Sequence, residues 1–185
     1  MKPILFLVLI TIVSCFSFSQ DEDEHTKEFG FDGFVHASTL GGTFGVGFKY
    51  AMIKNKNLAF GPSIRLHRFW SNYYGNKVGF NIYGGGIFAH YRYKNILFVG
   101  AEFEMLKSPI NFTYVLSAKT WVPTLFIGGG FSKGFEPSGV RINAGLFYDI
   151  INQYNSPFRT SYIGKNAQGV LMPFIYRIGF FFSLD

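Results

Sequence analysis

Residues 97–105 read Leu97-Phe98-Val99-Gly100-Ala101-Glu102-Phe103-Glu104-Met105. Every odd position is apolar, and the even ones hold two acids, a glycine and a phenylalanine. A strand sends alternate side chains to opposite faces, so this stretch has one uncharged face and one that carries both glutamates. A helical period would mix the two sets.

The same division recurs along the chain. Phe44, Val46, Phe48, Tyr50 and Met52 stand against Gly45, Gly47 and Lys49, and Ile64 and Leu66 against Arg65 and His67. Ile87, Ala89, Tyr91 and Tyr93 oppose His90 and Arg92, while Trp121, Leu125, Ile127 and Phe131 oppose Phe126, Gly128, Gly130 and Ser132. Ile142, Ala144, Leu146 and Tyr148 oppose Arg141 and Asp149; Tyr176, Ile178, Phe180 and Phe182 oppose Arg177. An eighth, weaker strand is predicted over 31–39, with Asp32, His36 and Ser38 on one face.

One face is therefore free of charge in all seven clear strands. A soluble ligand-carrying barrel has the opposite plan, with charge outside and an apolar cavity. Only 15% of the 185 residues are charged, against roughly 25–35% expected on a soluble surface, while 48% are hydrophobic and 20% aromatic. Disorder is excluded by that apolar content. No stretch past residue 13 reaches the roughly 18 apolar residues of a spanning helix. What fits is an all-β, eight-stranded antiparallel up-and-down transmembrane barrel, uncharged face to lipid and charged face to the lumen. One Lys or Arg at mid-depth on the lipid face would cost about 2–4 kcal/mol.

The connections alternate in length. Lys54 to Asn57 and Lys94-Asn95 are short turns, whereas 70–77, 106–119 and 151–169 are long. Short turns on one side and long loops on the other are the pattern of outer-membrane barrels. The long connections are expected outside the cell, where any surface ligand would bind. Trp70, Tyr73, Tyr74, Tyr91, Tyr93, Trp121, Tyr148 and Tyr176 fall near predicted strand ends, as interfacial girdles do.

Residues 29–185 taken together resemble the small eight-stranded outer-membrane barrels of the OmpA/OmpX type. The resemblance lies in pattern and topology, with no specific motif. It implies membrane lipid and lipopolysaccharide as surroundings and the outer-membrane assembly machinery as a partner. Barrels of this type usually end in an aromatic residue; this chain ends Phe182-Ser183-Leu184-Asp185.

The inward polar set is expected to be Lys49, Arg65, His67, His90, Arg92, Glu102, Glu104, Arg141, Asp149 and Arg177. Eight strands enclose little more than their own side chains, so these residues read as a structural cluster filling the lumen. Arg92 and Glu102 face inward on adjacent strands and form an expected pair. Phe98, Phe126, Phe147 and Phe181 share the lumen and argue against a water channel.

Catalytic, cofactor and metal sites are not expected. His36 and Ser38 share a face, like the His–Ser pair of outer-membrane lipid A deacylases, but Lys49 and Arg177 rather than a carboxylate are expected beside them. His67, Ser71 and Asp149 form a second, looser set. Gly84 to Ala89 fits G-x-G-x-x-A, yet no helix follows to give it a phosphate-binding mechanism. The four histidines show no metal spacing, and the single cysteine lies at position 15.

Residues 1–19 read as a signal peptide: Lys2, an apolar run from Ile4 to Ile10, and small residues at Ser17 and Ser19. Ile12-Val13-Ser14-Cys15 offers lipidation as the competing reading. Residues 20–28 hold five acids and read as a solvated leader. Past it, 15 Lys/Arg face 6 Asp/Glu, a net of +9. With an export signal, anionic lipid suits that balance better than nucleic acid. The expected role is structural or surface-interacting, in a Gram-negative outer membrane; the alternatives are binding or passage of a small apolar molecule and lipid A modification.

Overall fold

The computed structural model describes residues 26–39, 41–73, 76–108, 120–165, 167–169 and 171–184. The predicted signal peptide, most of the acidic leader and residues 109–119 of the second long loop lie outside them.

Nine strands form: β1 (Lys27–Ser38), β2 (Gly41–Lys54), β3 (Leu58–Tyr73), β4 (Asn76–Tyr93), β5 (Leu97–Ser108), β6 (Thr120–Phe135), β7 (Val140–Asp149), β8 (Ile163–Lys165) and β9 (Leu171–Ser183). β1 to β7 pair in sequence, β7 pairs with β9, and β9 pairs back to β1, all antiparallel. The eight long strands thus close a barrel. β8 is a short addition to β9, with Ile163 opposite Phe174 and Lys165 opposite Leu171.

The β2–β3 and β4–β5 hairpins turn through Asn55-Lys56 and Lys94-Asn95, each with positive φ at both central residues. Such turns match the right-handed twist of the flanking strands. Asn57 N–H donates to Lys54 O and Ile96 N–H to Tyr93 O, closing both. These turns, the 136–139 turn, the start of β1 and the end of β9 lie at one end of the barrel, the turn end; the strands leave into their other connections at the opposite end, the loop end.

The inward glycines leave room for large partners. A Cβ on Gly47 would lie 2.6 Å from the Arg65 guanidinium, and one on Gly30 would lie 2.5 Å from the Phe181 ring. The narrow bore thus pairs absent side chains with long ones.

Several boundaries move outward from their predicted places. β1 begins at Lys27, inside the predicted leader, and Glu28 belongs to the barrel. Residues 70–77 are not a long loop: β3 and β4 pair as far as Tyr73 opposite Asn76, because the aromatic run Phe69-Trp70 favours the extended chain. Outward charges therefore do occur, at Lys27, Lys54, Arg68, Lys77, Lys107 and Lys133. All lie near strand ends, leaving an uncharged band between them among the described residues.

Candidate functional site: the filled lumen

Strand parity carries Lys49, Arg65, His67, His90, Arg92, Glu102, Glu104, Asp149 and Arg177 to the inside, where each is buried. Arg141 also faces in, but its side chain keeps 20% exposure at the turn end. Asp32, placed on the inner face of β1 by its sequence but left out of the expected cluster, completes the central group.

At mid-bore three cations meet three carboxylates. Lys49 Nζ lies 2.7 Å from Asp32 Oδ2 and 2.6 Å from Glu102 Oε1. Arg65 Nη1 donates to Asp32 Oδ1 at 2.5 Å, and its Nη2 donates to Glu104 Oε1 at 2.6 Å. Arg177 Nη1 donates to Glu102 Oε2 and lies 3.4 Å from Glu104 Oε1. His90 Nε2 adds a 2.8 Å contact to Glu102 Oε1. The six charged groups of this charge-balanced knot come from five strands, and His90 adds a sixth. Beside it, Asp32, Lys49, Asn143, Phe147 and Arg177 help line a cavity of about 10 Å³, room for one water.

The expected Arg92–Glu102 pair does not form. The β4–β5 register sets Phe88, not Arg92, opposite Glu102. Arg92 lies four residues nearer the turn end, roughly 13 Å at 3.3 Å per residue. Its guanidinium instead grips Glu28 with two hydrogen bonds, of 2.8 and 2.6 Å, and stacks over Phe181. Arg141 donates to Asn95 Oδ1 and Ser132 Oγ, while Asn95 also exchanges bonds with the Gly134 backbone. The β4–β5 turn is thus tied across to β6 and β7.

The loop end is filled differently. After β7, Ser156 caps a short 3-10 helix, Pro157–Ser161, by accepting from Phe158 N–H. The helix lowers Phe158 into the bore, where it is fully buried. Its ring lies 4.9 Å from Phe126 and 5.7 Å from both Phe34 and His67. The Arg177 guanidinium faces the rings of Phe126, Phe147 and Phe158 at 4.4, 5.4 and 5.5 Å. One arginine thus joins the ionic knot to the aromatic plug. Tyr162 donates to Asp149 Oδ2 at 2.7 Å. Burial, with that carboxylate alongside, pushes the Tyr162 hydroxyl above its ordinary range, so it stays protonated and donates. The 151–169 connection is therefore not simply an exposed loop; its middle is part of the interior.

The β1–β9 seam also changes here. Paired register runs from Glu28 opposite Ser183 to Gly33 opposite Ile178 and stops. Beyond it the Tyr176 hydroxyl accepts from Val35 N–H and donates to Val35 O. Tyr176, expected as a girdle residue, closes backbone groups instead.

The weaker catalytic sets are spread among other bonds. Ser38 Oγ donates to Gly41 O in a turn, and His36 is exposed above the bore. His67 contacts Thr43 Oγ1, whereas Asp149 accepts from Leu125 N–H, Asn152 N–H and Tyr162. Among the described residues no group of three potential metal ligands converges.

These features define a class: a closed eight-stranded antiparallel barrel with an apolar wall and a bore filled by ion pairs and aromatic rings. No protein-family model and no curated protein matches the chain significantly. Among solved structures it is similar to the Yersinia pestis outer membrane protein Ail, whose backbone structure is in a phospholipid bilayer nanodisc. Identity is 13%, coverage 87% of this chain and 100% of that one, and the TM-score 0.45.

Proposed function

We propose that the protein is an integral β-barrel of a bacterial outer membrane, closed along its bore, with a structural or surface-interaction role exercised at its loop end. The supporting observation is the segregation of its two faces. Outward Ile64, Val99 and Phe131 are 60%, 61% and 68% exposed, which water would penalise and lipid would not. Outward charges keep to the strand ends, where lipid-facing charge costs least. The long strands have 10 to 18 residues, enough for the roughly 9–11 that a bilayer requires.

On this reading residues 1–19 direct export and are removed, with lipidation at Cys15 the competing fate. The barrel then meets the assembly machinery, phospholipid and lipopolysaccharide. The ionic knot and the Phe158 plug act as fillers that hold the inner faces together, and no catalytic role is assigned. Binding of a small apolar molecule, the runner-up, would require the ring space that Phe158 fills.

The test is heat-modifiability. In outer membranes of a Gram-negative host, unboiled and boiled samples should migrate differently on SDS gels, and the purified barrel should give no steady conductance in a planar bilayer. An unshifted band in the soluble periplasmic fraction would overturn the membrane reading. Steady channels would overturn the closed bore alone.

A further inference from the structure

Resting on the membrane reading above, we propose that the turn end carries a lysine rim that selects anionic phospholipid headgroups in the leaflet it faces. Lys27 starts β1, Lys54 ends β2, Lys56 lies in the β2–β3 turn, Lys94 in the β4–β5 turn, and Lys133 near the end of β6. Four of the five are exposed and Lys54 is half-buried. Among the described residues the exposed acid at this end is Glu136, since Glu28 is held by Arg92. Among the described residues the rim is therefore positive, and residues 21–24 bring four acids just ahead of Lys27.

Two of these lysines stand where lysine is an awkward choice. Lys56 has φ 58° and Lys94 φ 48°, positions at which glycine or asparagine is favoured. The side chain there contributes a charge that the turn itself does not need.

Depth and distribution identify the partner. Tyr91 and Tyr93 face outward, and the Lys94 ammonium lies 5.2 Å from the Tyr93 ring centroid. Tyr50 and Met52 also face outward, on the same face of β2 as Lys54. Outward aromatics mark the edge of the hydrocarbon, so ammonium groups just past them reach the phosphate layer, roughly 5–7 Å deep on each side. The lysines also come from β1, two separate hairpin turns and β6, and so spread around the circumference. Lys27, opposite Met52, sits close to Lys54 and Lys56, while Lys94 and Lys133 stand apart, so the rim offers three separate points for headgroups, whereas a linear anionic polymer would need them along one track. A compact ammonium serves phosphate as a point charge and needs no fixed geometry.

The experiment reconstitutes the full barrel in phosphatidylcholine vesicles and compares the association of spin-labelled phosphatidylglycerol with that of spin-labelled phosphatidylcholine. Wild type should prefer the anionic lipid about fivefold at low salt, and high salt should erase the preference. A variant with Lys27, Lys54 and Lys133→Gln and Lys56 and Lys94→Asn should fall to near-equal association. An Arg68→Gln, Lys77→Gln, Lys107→Gln variant, altered at the other end, should keep the preference. Should the fivefold variant not fold, Lys56→Asn and Lys94→Asn singly should each give a partial loss. Retention of the preference without the rim lysines, or its loss in the other-end variant, overturns the proposal. So does binding to peptidoglycan sacculi that the rim variant loses while lipid preference stays. A wild-type protein that never becomes heat-modifiable in the vesicles would instead overturn the membrane reading.

Discussion

Mid-bore and mouth solve one packing problem with different materials. At mid-bore every filling side chain comes from a long strand, and the β1–β9 ladder is intact around Asp32. Lys49 and Arg65 meet the carboxylates there at 2.5–2.7 Å and Arg177 bonds Glu102, while the Arg65–Glu102 and Arg177–Glu104 contacts are longer. At the mouth the ladder between β1 and β9 has ended, and a loop supplies Phe158 and Tyr162. The Tyr176 hydroxyl bonds the Val35 backbone groups that a strand would have paired, and the Tyr162 hydroxyl ties the loop to Asp149. The first region cannot relax without opening the barrel, whereas the second can detach and leave the barrel closed. Disrupting each should therefore have effects of different size and extent.

The largest effect is expected from Glu102→Ala. Glu102 holds Lys49, Arg177 and His90 at once. Its loss leaves two buried cations with one fewer carboxylate, and breaking a buried pair from one side costs about 3–5 kcal/mol. Reversible urea unfolding in detergent micelles should show that loss, with the heat-modifiable band melting at lower temperature. A loss below about 1 kcal/mol would mean that water already screens the knot, and the contrast with the mouth would collapse.

Phe158→Ala comes next. In a closed core a Phe→Ala change costs about 3–5 kcal/mol, but here the loss is capped by the free energy of docking the plug. Global stability should fall by about 2 kcal/mol or less, while the loop becomes open to protease. Limited trypsin digestion should cut after Arg159 much faster in the variant, with the barrel remaining heat-modifiable. Equal digestion rates would show that the plug is held by more than its ring.

These two sites also differ in how far the sequence discloses them. The knot is visible as a set, because period two assigns Lys49, Arg65, Glu102, Glu104 and Arg177 to one face before any register is known. Its pairings are not visible. Arg92 with Glu102 is a natural guess for inward neighbours on one hairpin, yet the Tyr93–Leu97 closure shifts them four residues apart. Asp32 was legible by parity and gains meaning only when β1 is registered against β2. Phe158 is hidden for a deeper reason: 150–170 has no periodicity, and a five-residue helix offers little beyond its Ser156-Pro157 start. The extension of β3 to Tyr73 and of β4 back to Asn76 was hidden by Ser71 and Asn72, which read as turn formers although strand pairing overrides them.

Tyr162→Phe should have a smaller effect than removing the plug ring. It deletes a 2.7 Å hydrogen bond to a buried carboxylate and keeps the aromatic packing. A bond to a charged group contributes about 1.5–3 kcal/mol, but Asp149 retains two backbone donors, so about 1 kcal/mol is expected. Urea unfolding of the variant checks this, with trypsin cleavage after Arg159 rising less than in Phe158→Ala. A larger rise would make Tyr162, not Phe158, the anchor of the plug.

The smallest effect belongs to Tyr176→Phe, and it tests whether a hydroxyl stands in for a strand. The ring keeps its packing against the aromatic cluster, and only the two bonds to Val35 are lost. Val35 is 54% exposed, so water can replace part of what the hydroxyl supplied, and about 0.5–1 kcal/mol is expected. The sharper readout is amide hydrogen exchange. Val35 N–H should exchange faster in the variant, while Phe31 N–H, within the paired stretch of the seam, should keep its protection. Faster exchange at both would mean that the seam opens as one unit from the mouth inward, and the boundary between ladder and side-chain closure at Gly33 would lose its mechanical meaning.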